Sequence, residues 1–344
     1  MTWAALLLAD PSPCLRWLVL RDLLRRPEHD PEMCELTPLR EGDPLVADLV
    51  ARQAEDGSWA GLGVGAQAGA LASTALALTR LGYLGFGPEF PAVAHGAAYL
   101  LARQQPDGSW PLATMRDGED EGDREGYTMQ PLQTAQPLRA LAACGYARDP
   151  RSERAYEWLL AQRLEDGAWP TGIVAGVWGG VGGYRRLSHS RWGCRSSTTA
   201  ALTALALHPV RRREAPARRA LDLLLGRETR EEEALGFEVA RTLGAEEARG
   251  SLTHYARYDL AQVLHLCARI GIARDDARVA EMVAFVRDLQ GPYGLWEYSR
   301  RPQVSRWVTN DLVRSLSLLD EDADWLSTEP RTPFRAYLRP PRRY

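Results

Sequence analysis

The chain alternates between two kinds of apolar segment. In the first kind, apolar residues recur at spacings of three and four, which predicts amphipathic helices with one buried face; these helices end near residues 50, 101, 160 and 289. The second kind is apolar nearly all round, which predicts helices buried on most sides. It covers residues 71–81, 132–144, 196–207, 258–270 and 308–319. No segment shows the two-residue alternation of a half-buried strand, so we expect an all-α protein with outer helices around inner ones.

A short motif closes each amphipathic segment: a glutamine, a turn and then Gly-x-Trp. Its four copies read QAEDGSW at 53–59, QPDGSW at 105–110, QRLEDGAW at 162–169 and QGPYGLW at 290–296. The tryptophans are 51, 59 and 127 residues apart. Because the last interval is about twice the others, we expect a degenerate copy at 225–237. Segment 14–25 (CLRWLVLRDLLR) is a candidate for a sixth inner helix.

The recurring residues of the motif are expected to be structural. A glutamine amide at the end of an outer helix can bond to the free backbone groups found there. Glycine permits the tight turn, and the indole can lie flat on the amide plane. The residues concerned are Gln53, Gln105, Gln162 and Gln290, with Trp59, Trp110, Trp169 and Trp296.

These copies resemble the QW motif of the squalene–hopene and oxidosqualene cyclases, and the protein prenyltransferase β subunits have a related repeat. The resemblance covers residues 41–320. It implies an α/α toroid, a ring of inner helices surrounded by outer helices, with a cavity at one end. We expect a single toroid domain at 41–320, with six inner helices once the helical segment 1–40 completes the ring. Residues 321–344 form a tail rich in proline and arginine.

The catalytic groups of these families are not found at the corresponding positions. The cyclases carry a D-x-D-D motif at the start of an inner helix, and alignment places Cys194, Ser196 and Ser197 at the acidic positions. The prenyltransferases hold zinc through an Asp-x-Cys pair and a distant histidine, and no Asp-x-Cys occurs here. His265 and Cys267 are two residues apart, so on a helix they do not share a face. We therefore expect His265 to be a neutral core residue.

Composition narrows the possible partners. The net charge is −3, which is unlike the strongly basic balance of nucleic-acid-binding proteins. All 42 basic residues are arginines, so a lysine Schiff base and a lysine-dependent phosphate loop are excluded. Five scattered cysteines without a secretory signal favour a reducing, cytoplasmic location. Arginine-only basicity with scarce isoleucine and asparagine favours a bacterial source.

Contact with a membrane is left open at one place. No stretch reaches the 18 apolar residues expected of a transmembrane helix. Peripheral contact with anionic lipid is an alternative for the tail. Its candidate residues are Arg335, Arg339, Arg342 and Arg343.

The loop at 178–195 is the first candidate for a substrate site, because it joins a repeat turn to an inner helix. Arginine forks suit phosphate or carboxylate groups, and aromatic rings suit an apolar chain or a cation. The candidate binding residues are Tyr184, Arg185, Arg186, His189, Trp192 and Arg195. The alternative is a packed surface loop with structural ion pairs.

Two further stretches each carry an acid near the start of an inner helix. Asp311 follows four other candidate binding residues: Glu297, Tyr298, Arg306 and Trp307. Asp259 follows His254 and Tyr255. Either aspartate is a candidate proton donor, and helix capping or pairing with arginine is the alternative. A helix start stabilises the anion, which opposes a strongly acidic role unless burial overrides it.

Three functional hypotheses follow. The first is a protein similar to terpenoid cyclases or prenyltransferases, which binds an isoprenoid substrate; whether it is also an enzyme is left open. The second is a non-catalytic binding or scaffold toroid, and the third is an α/α-barrel carbohydrate enzyme. No cofactor is expected, except Mg²⁺ if a diphosphate is bound; the acidic run at 117–125 is then a candidate ligand, otherwise a solvated loop. An apolar cavity favours the first hypothesis, a filled one the second, and paired carboxylates the third.

Overall fold

A computed structural model describes residues 2–62, 69–110, 131–171, 173–174, 177–178, 186–187, 189–226, 234–246, 259–271 and 276–320. In these ranges the helices are α1 (Thr2–Leu8), α2 (Pro13–Leu18), α3 (Pro31–Leu39), α4 (Pro44–Ala51), α5 (Ala70–Tyr83), α6 (Pro91–Ala102), α7 (Pro131–Ala143), α8 (Pro150–Ala161), α9 (Arg195–Leu207), α10 (Ala215–Leu225), α11 (Phe237–Thr242), α12 (Leu260–Ile270), α13 (Ala277–Asp288) and α14 (Ser305–Asp320). A π-helical turn, Val19–Leu23, continues α2, and 3-10 turns occupy Arg40–Gly42, Arg211–Arg213 and Pro302–Val304. The strands described are an antiparallel pair of two residues each, β1 (Ile173–Val174) and β2 (Val177–Trp178). The all-α prediction is confirmed.

The inner layer is a ring of helices packed side by side. Helices α5, α7, α9, α12 and α14 contact one another in this order, and the π-helical turn after α2 packs against α14. At the closure, Arg306 of α14 forms an ion pair of 3.1 Å with Asp10. Segment 14–25, predicted as a sixth inner helix, thus contacts the last helix of this series. Residues 195–206 of α9 are all buried, as its uniformly apolar sequence predicts.

The outer helices pack against the inner ones and begin at strong start signals. Helices α6, α8, α10 and α13 contact the inner helices α5, α7, α9 and α12, respectively. Five of the described helices, α3, α4, α8, α12 and α13, begin after an aspartate whose side chain accepts a hydrogen bond from the second residue of the helix. In three of these the next residue is proline, which suits the first helical position because no N–H is needed there. The Asp-Pro pairs thus fix where α3, α4 and α8 start.

The four predicted tryptophans connect the two layers in the same way each time. All are 0–2% exposed. Each indole N–H donates to the carbonyl ten residues earlier, at 2.6–2.8 Å; the acceptors are Leu49, Leu100, Leu159 and Val286. Each tryptophan backbone N–H donates to a threonine hydroxyl on the next inner helix, at 3.0–3.2 Å; the acceptors are Thr74, Thr134, Thr198 and Thr309. One residue therefore links the end of an outer helix to the start of an inner helix.

The glutamines of the first and last copies act as predicted. The amide of Gln53 donates to the carbonyls of Gly57, at 3.0 Å, and Ala92, at 2.9 Å. Ala92 lies in the first turn of the next outer helix, so this amide also joins neighbouring repeats. Gln290 donates to the carbonyl of Gly294 at 2.8 Å.

In the other two copies the predicted glutamine is wrong by one residue. Gln104, not Gln105, donates to the glycine carbonyl of its own turn and, at 2.8 Å, to Arg151 of the next outer helix. In the third copy the equivalent position holds Arg163, and Gln162 is the last residue of helical conformation after α8. The physical reason is that the working glutamine lies six residues before its tryptophan, which is the separation that lets one amide reach both carbonyls.

The segment that follows the predicted degenerate copy enters the ring. Part of it, 227–233, lies outside the described residues. After it, Gly236 has a left-handed φ of 86° and is followed by the short helix α11. A Cβ at Gly236 would overlap the side chain of Val308, so only glycine fits there. Helix α11 contacts α5 and α14 and forms one wall of the cavity inside the ring.

Candidate functional site

A cavity of about 380 Å³ lies between α11, the C-terminal ends of α5, α7 and α9, residues 262–269 of α12 and residues 311–314 of α14. This volume falls within the range of small-molecule binding pockets. One part of its lining is apolar and includes Phe86, Ala143, Ala206, Leu207, Val239 and Leu266. The other part is polar and charged, with four arginines among its residues: Arg21, Arg139, Arg269 and Arg314. The cavity therefore suits a molecule with an apolar part and an anionic or oxygenated part.

Asp311 lies on the polar side, in the second turn of α14. The hydroxyl of Tyr83 donates to its Oδ1 atom at 3.1 Å, and the Tyr83 ring contacts Trp307 at a centroid distance of 6.1 Å. Burial raises the pKa of Asp311 to about 6, against the opposing charge of Arg314 and the hydrogen bond from Tyr83. Burial, followed by the charge of Asp311, raises the pKa of the Tyr83 hydroxyl, so this group stays a hydrogen-bond donor. Asp311 thus exchanges its proton close to neutral pH.

A second carboxylate, Asp22, is shared by two arginines. Arg21 donates to it through two nitrogens, at 2.6 and 2.9 Å, and Arg314 approaches it to 3.2 Å. Burial alone would raise the pKa of Asp22, but the hydrogen bonds and charges of these arginines lower it. Arg21 and Asp22 belong to the π-helical turn, a rare conformation that occurs often at functional sites.

Arg269 and His265 form a pair on one face of α12, four residues apart. The Nε atom of Arg269 donates to Nε2 of His265 at 3.1 Å. Arginine is always a donor, so this histidine nitrogen carries no proton. Burial, helped by the charge of Arg269, lowers the pKa of His265 well below its ordinary value. The histidine is therefore neutral, as its sequence context predicts, and it faces the cavity.

Charged side chains on α7 and at the start of α12 hold helix α11 in the ring. Its Glu238 forms ion pairs with Arg139 of α7 and, at 2.9 Å, with Arg241. Asp259, at the start of α12, accepts backbone hydrogen bonds from Gly236 at 2.8 Å and Glu238 at 2.7 Å. These contacts fix the wall that α11 contributes to the cavity.

Asp259 itself does not line this cavity. It is 3% exposed and also accepts the N–H of Ala261 at 3.1 Å, as a helix cap does. Burial raises the pKa of Asp259 to about 6, although three backbone N–H groups oppose the shift. These contacts of Asp259 fit the helix-capping alternative. His254 and Tyr255 lie outside the described residues.

The predicted binding loop at 178–195 is only partly described, and its described residues do not line the cavity. Tyr184 and Arg185 lie outside the described residues. Arg186 and His189 are exposed, and Trp192 is half-buried. Arg195 is 3% exposed and donates to the carbonyl of Arg186 at 3.4 Å. These contacts are those of a packed loop.

The residues predicted before α14 are divided between different environments. Glu297 is exposed, and the buried Tyr298 donates its hydroxyl to Glu246 at 3.1 Å. Arg306 is the ring-closing partner of Asp10. Trp307 is buried and packs against Tyr83, whose side chain lines the cavity. Of the predicted binding and catalytic residues that the structure describes, Asp311 lines the cavity.

The position of the cavity explains why most of its residues are absent from the predicted set. The prediction used loops before the inner helices, whereas most of the cavity lining lies within these helices or at their C-terminal ends, and a helix rises 1.5 Å per residue. A signal for these residues exists in the sequence. Polar residues at helical spacing interrupt otherwise apolar inner helices: His265 and Arg269 in α12, and Asp311 and Arg314 in α14.

The position that carries the acid motif in the cyclases lies at the start of α9. Cys194, Ser196 and Ser197 are fully buried there. Within the described part of the chain, no group of three or more His, Cys, Asp or Glu side chains is arranged to hold a metal ion. The acidic run at 117–125 lies outside that part. Among the described helices, none combines the length and the apolar character needed to cross a bilayer.

Comparison with known proteins agrees with the repeat pattern. Residues 43–185 match the family model of the squalene-hopene cyclase C-terminal domain. A variant of the type II terpene cyclase MstE from Scytonema, in complex with its product merosterolic acid A, is 18% identical over 80% of this chain and 94% of that chain, with a TM-score of 0.39. The apo form of MstE is 14% identical over 80% and 95% of the two chains, with a TM-score of 0.33. A protein from Actinoplanes is 14% identical over 80% and 97%, with a TM-score of 0.31.

No curated protein matches the chain. The family match covers the first three copies of the motif, and the same tryptophan and threonine contacts recur in the fourth copy, beyond the matched residues. The family match and the recurring contacts agree with the resemblance predicted from the sequence: the chain folds as an α/α toroid built from QW-type repeats.

Proposed function

We propose that the protein binds an isoprenoid molecule in the cavity inside the ring. The observation that supports this most is the presence of both apolar side chains and four arginines in the lining of one cavity. An isoprenoid chain would lie on the apolar part, against Phe86, Leu207 and Leu266. Its oxygenated end would then face Tyr83 and Asp311.

Asp311 is the proton donor of any reaction in this cavity under the same proposal. A carboxyl group with a pKa of about 6 is partly protonated near neutral pH, which suits general acid catalysis at an oxygen atom. It is a weaker acid than an ordinary aspartic acid, so protonation of an unactivated alkene is not favoured. The Tyr83 hydroxyl would orient the carboxyl group through its 3.1 Å hydrogen bond.

Binding without cyclisation is the second candidate, and one observation favours it. The acid position of the cyclases, at the start of α9, holds buried Cys194, Ser196 and Ser197 instead of carboxylates. A toroid that lost its acid at this place would keep a ligand cavity while losing the cyclase reaction.

Binding, which both candidates share, is tested first. Binding of geraniol and farnesol would be followed by the fluorescence of the tryptophans, with Ala143→Phe to fill the cavity. Ala161→Phe is the matched control, because Ala161 is exposed on α8. We expect binding by the wild type and by the control, and loss of binding when the cavity is filled. Binding that is equal in all three proteins, or absent from the wild type, would refute the proposal.

Catalysis is tested with the same proteins by product analysis. Squalene and prenyl diphosphates of 10 to 20 carbons would be incubated with and without Mg²⁺ and the products separated by gas chromatography and mass spectrometry. A new product that is lost in Asp311→Asn, but kept in the surface variant Asp288→Asn, would assign the proton donor. Binding without any product would favour the second candidate.

A further inference from the structure

We infer that Arg269 and Arg314 form an anion-binding subsite in the cavity, suited to the oxygens of a phosphate or diphosphate group. This inference deepens the proposed function, because it names the group that occupies the polar end of the ligand. Among the described residues, few carboxylates and few hydrogen-bond acceptors surround these two arginines.

Arg269 has no carboxylate within 4 Å in the described part of the chain. Its hydrogen bonds there are the one to His265 and a long one, 3.5 Å, from Nη1 to the carbonyl of Ala206. The other terminal nitrogen, Nη2, makes no hydrogen bond to a described residue. A guanidinium group stays protonated under all physiological conditions, so the positive charge of Arg269 is present and faces the cavity.

The positive charge of Arg314 is only partly balanced by a carboxylate. Its one carboxylate within 4 Å among the described residues is Asp22, and both oxygens of Asp22 already accept hydrogen bonds from Arg21. Asp311 is near Arg269 and Arg314 but is beyond ion-pair distance of either. The two cavity arginines therefore have one carboxylate within ion-pair distance in the described part of the chain, and that carboxylate is shared with Arg21.

This surplus positive charge is unfavourable without an anion beside it. Burial, followed by the charge of Arg314, lowers the pKa of Arg269 to about 10. An anion placed between the two groups would supply the missing charge and accept the free N–H groups. Arginine forks bind the oxygens of phosphate in pairs, which favours a phosphate over a spherical ion.

His265 has a positioning role in this arrangement. By accepting the Nε–H of Arg269, it turns the two terminal nitrogens of the guanidinium group away from α12. Because the neutral imidazole adds no charge of its own, the electrostatic field of the subsite comes from the arginines.

Titration calorimetry with inorganic pyrophosphate tests the subsite in the full-length protein. We expect the wild type to bind, and Arg269→Gln to bind roughly tenfold or more weakly, as for loss of a charged hydrogen-bond donor. Arg213→Gln is the matched control, since Arg213 is exposed on the outside of the ring, and its binding should equal that of the wild type. Asp311→Asn should bind more tightly than the wild type, because it removes a negative charge that competes for the same arginines.

Either of two results would overturn the inference: no heat of binding with the wild type, or equal affinity of the wild type and Arg269→Gln. If Arg269→Gln does not fold, the expected increase in affinity of Asp311→Asn still decides the question. Geraniol, geranyl diphosphate and pyrophosphate together separate this inference from the proposed function. Geraniol binding without pyrophosphate binding refutes the subsite alone, and pyrophosphate binding without binding of either prenyl compound refutes the isoprenoid proposal alone.

Discussion

The buried carboxyl group of Asp311 is expected to destabilise the folded protein at neutral pH. Its pKa rises from 3.8 to about 6 on folding, and one pKa unit corresponds to about 1.4 kcal/mol, so the whole shift is worth about 3 kcal/mol. The folded state holds this proton more tightly than the unfolded state. The stabilising contribution is therefore complete below about pH 4 and is lost as the pH rises through about 6.

Replacing Asp311 with asparagine removes the ionisation and keeps the shape and an acceptor for Tyr83. Water in the cavity screens part of the charge, so we expect the variant to be more stable than the wild type at pH 7 by roughly half of the full value, about 1.5 kcal/mol. At pH 4 the two proteins should be equally stable. Urea unfolding followed by circular dichroism from pH 4 to pH 8 measures this difference.

Asp259 provides a control with the same pKa and the opposite expectation. Its carboxylate accepts three backbone N–H groups, so Asp259→Asn would place an amide N–H₂ against hydrogen-bond donors. We expect this variant to lose about 2 kcal/mol of stability at pH 7. The reasoning is refuted if Asp311→Asn is less stable than the wild type at pH 7, or if its effect does not change with pH.

Three further predictions concern the repeats and are all measured by urea unfolding. Trp110→Phe removes an indole donor and leaves the Leu100 carbonyl with only its backbone hydrogen bond from Arg103, and it should cost about 2 to 4 kcal/mol; a loss below 1 kcal/mol would contradict the role given to the indole. Gln104→Ala should cost about 1 to 2 kcal/mol, because two hydrogen bonds are lost. Gln105→Ala, at the exposed neighbouring residue, should change stability by less than about 0.5 kcal/mol. A larger loss in Gln105→Ala than in Gln104→Ala would support the glutamine position predicted from the sequence. Gly57→Ala should cost more than about 1 kcal/mol, since the residue has a φ of 83° and an added Cβ would overlap the carbonyl of His95; an unchanged midpoint would show that this turn can shift.

The repeat architecture was predictable because it depends on patterns that a single sequence displays. Tryptophan spacing, helical periodicity and glycine in the turns locate the two layers, and the contacts of Trp59 and Trp296 agree with that reading. The register of the glutamine was not predictable in the same way. Gln104 and Gln105 are adjacent and chemically identical, and only the distance to the two acceptor carbonyls selects between them.

The site was less predictable than the fold, for a physical reason. Arg269 and Arg314 read as the ordinary polar face of a helix until it is known that this face is turned toward the centre of the ring. Which half of the ring holds a cavity depends on where α11 packs. Its contacts there include the ion pair between Glu238 and Arg139, which are 99 residues apart in the sequence. Asp311 was identified because an acid within an inner helix stands out without any knowledge of the neighbouring helices.

The closure of the ring has a consequence for how the cavity forms during folding. The contacts within each repeat span short distances along the chain: 10 residues for the indole hydrogen bonds and 13 to 29 for those to threonine. Closing the ring instead joins Asp10 to Arg306 and Tyr83 to Asp311, which are 296 and 228 residues apart. Local contacts form early because they lose little chain entropy, and distant ones form late. Part of the polar lining, namely Arg21, Tyr83, Asp311 and Arg314, lies at this seam, so a chain with every repeat folded but an open seam would have the scaffold without the complete binding site.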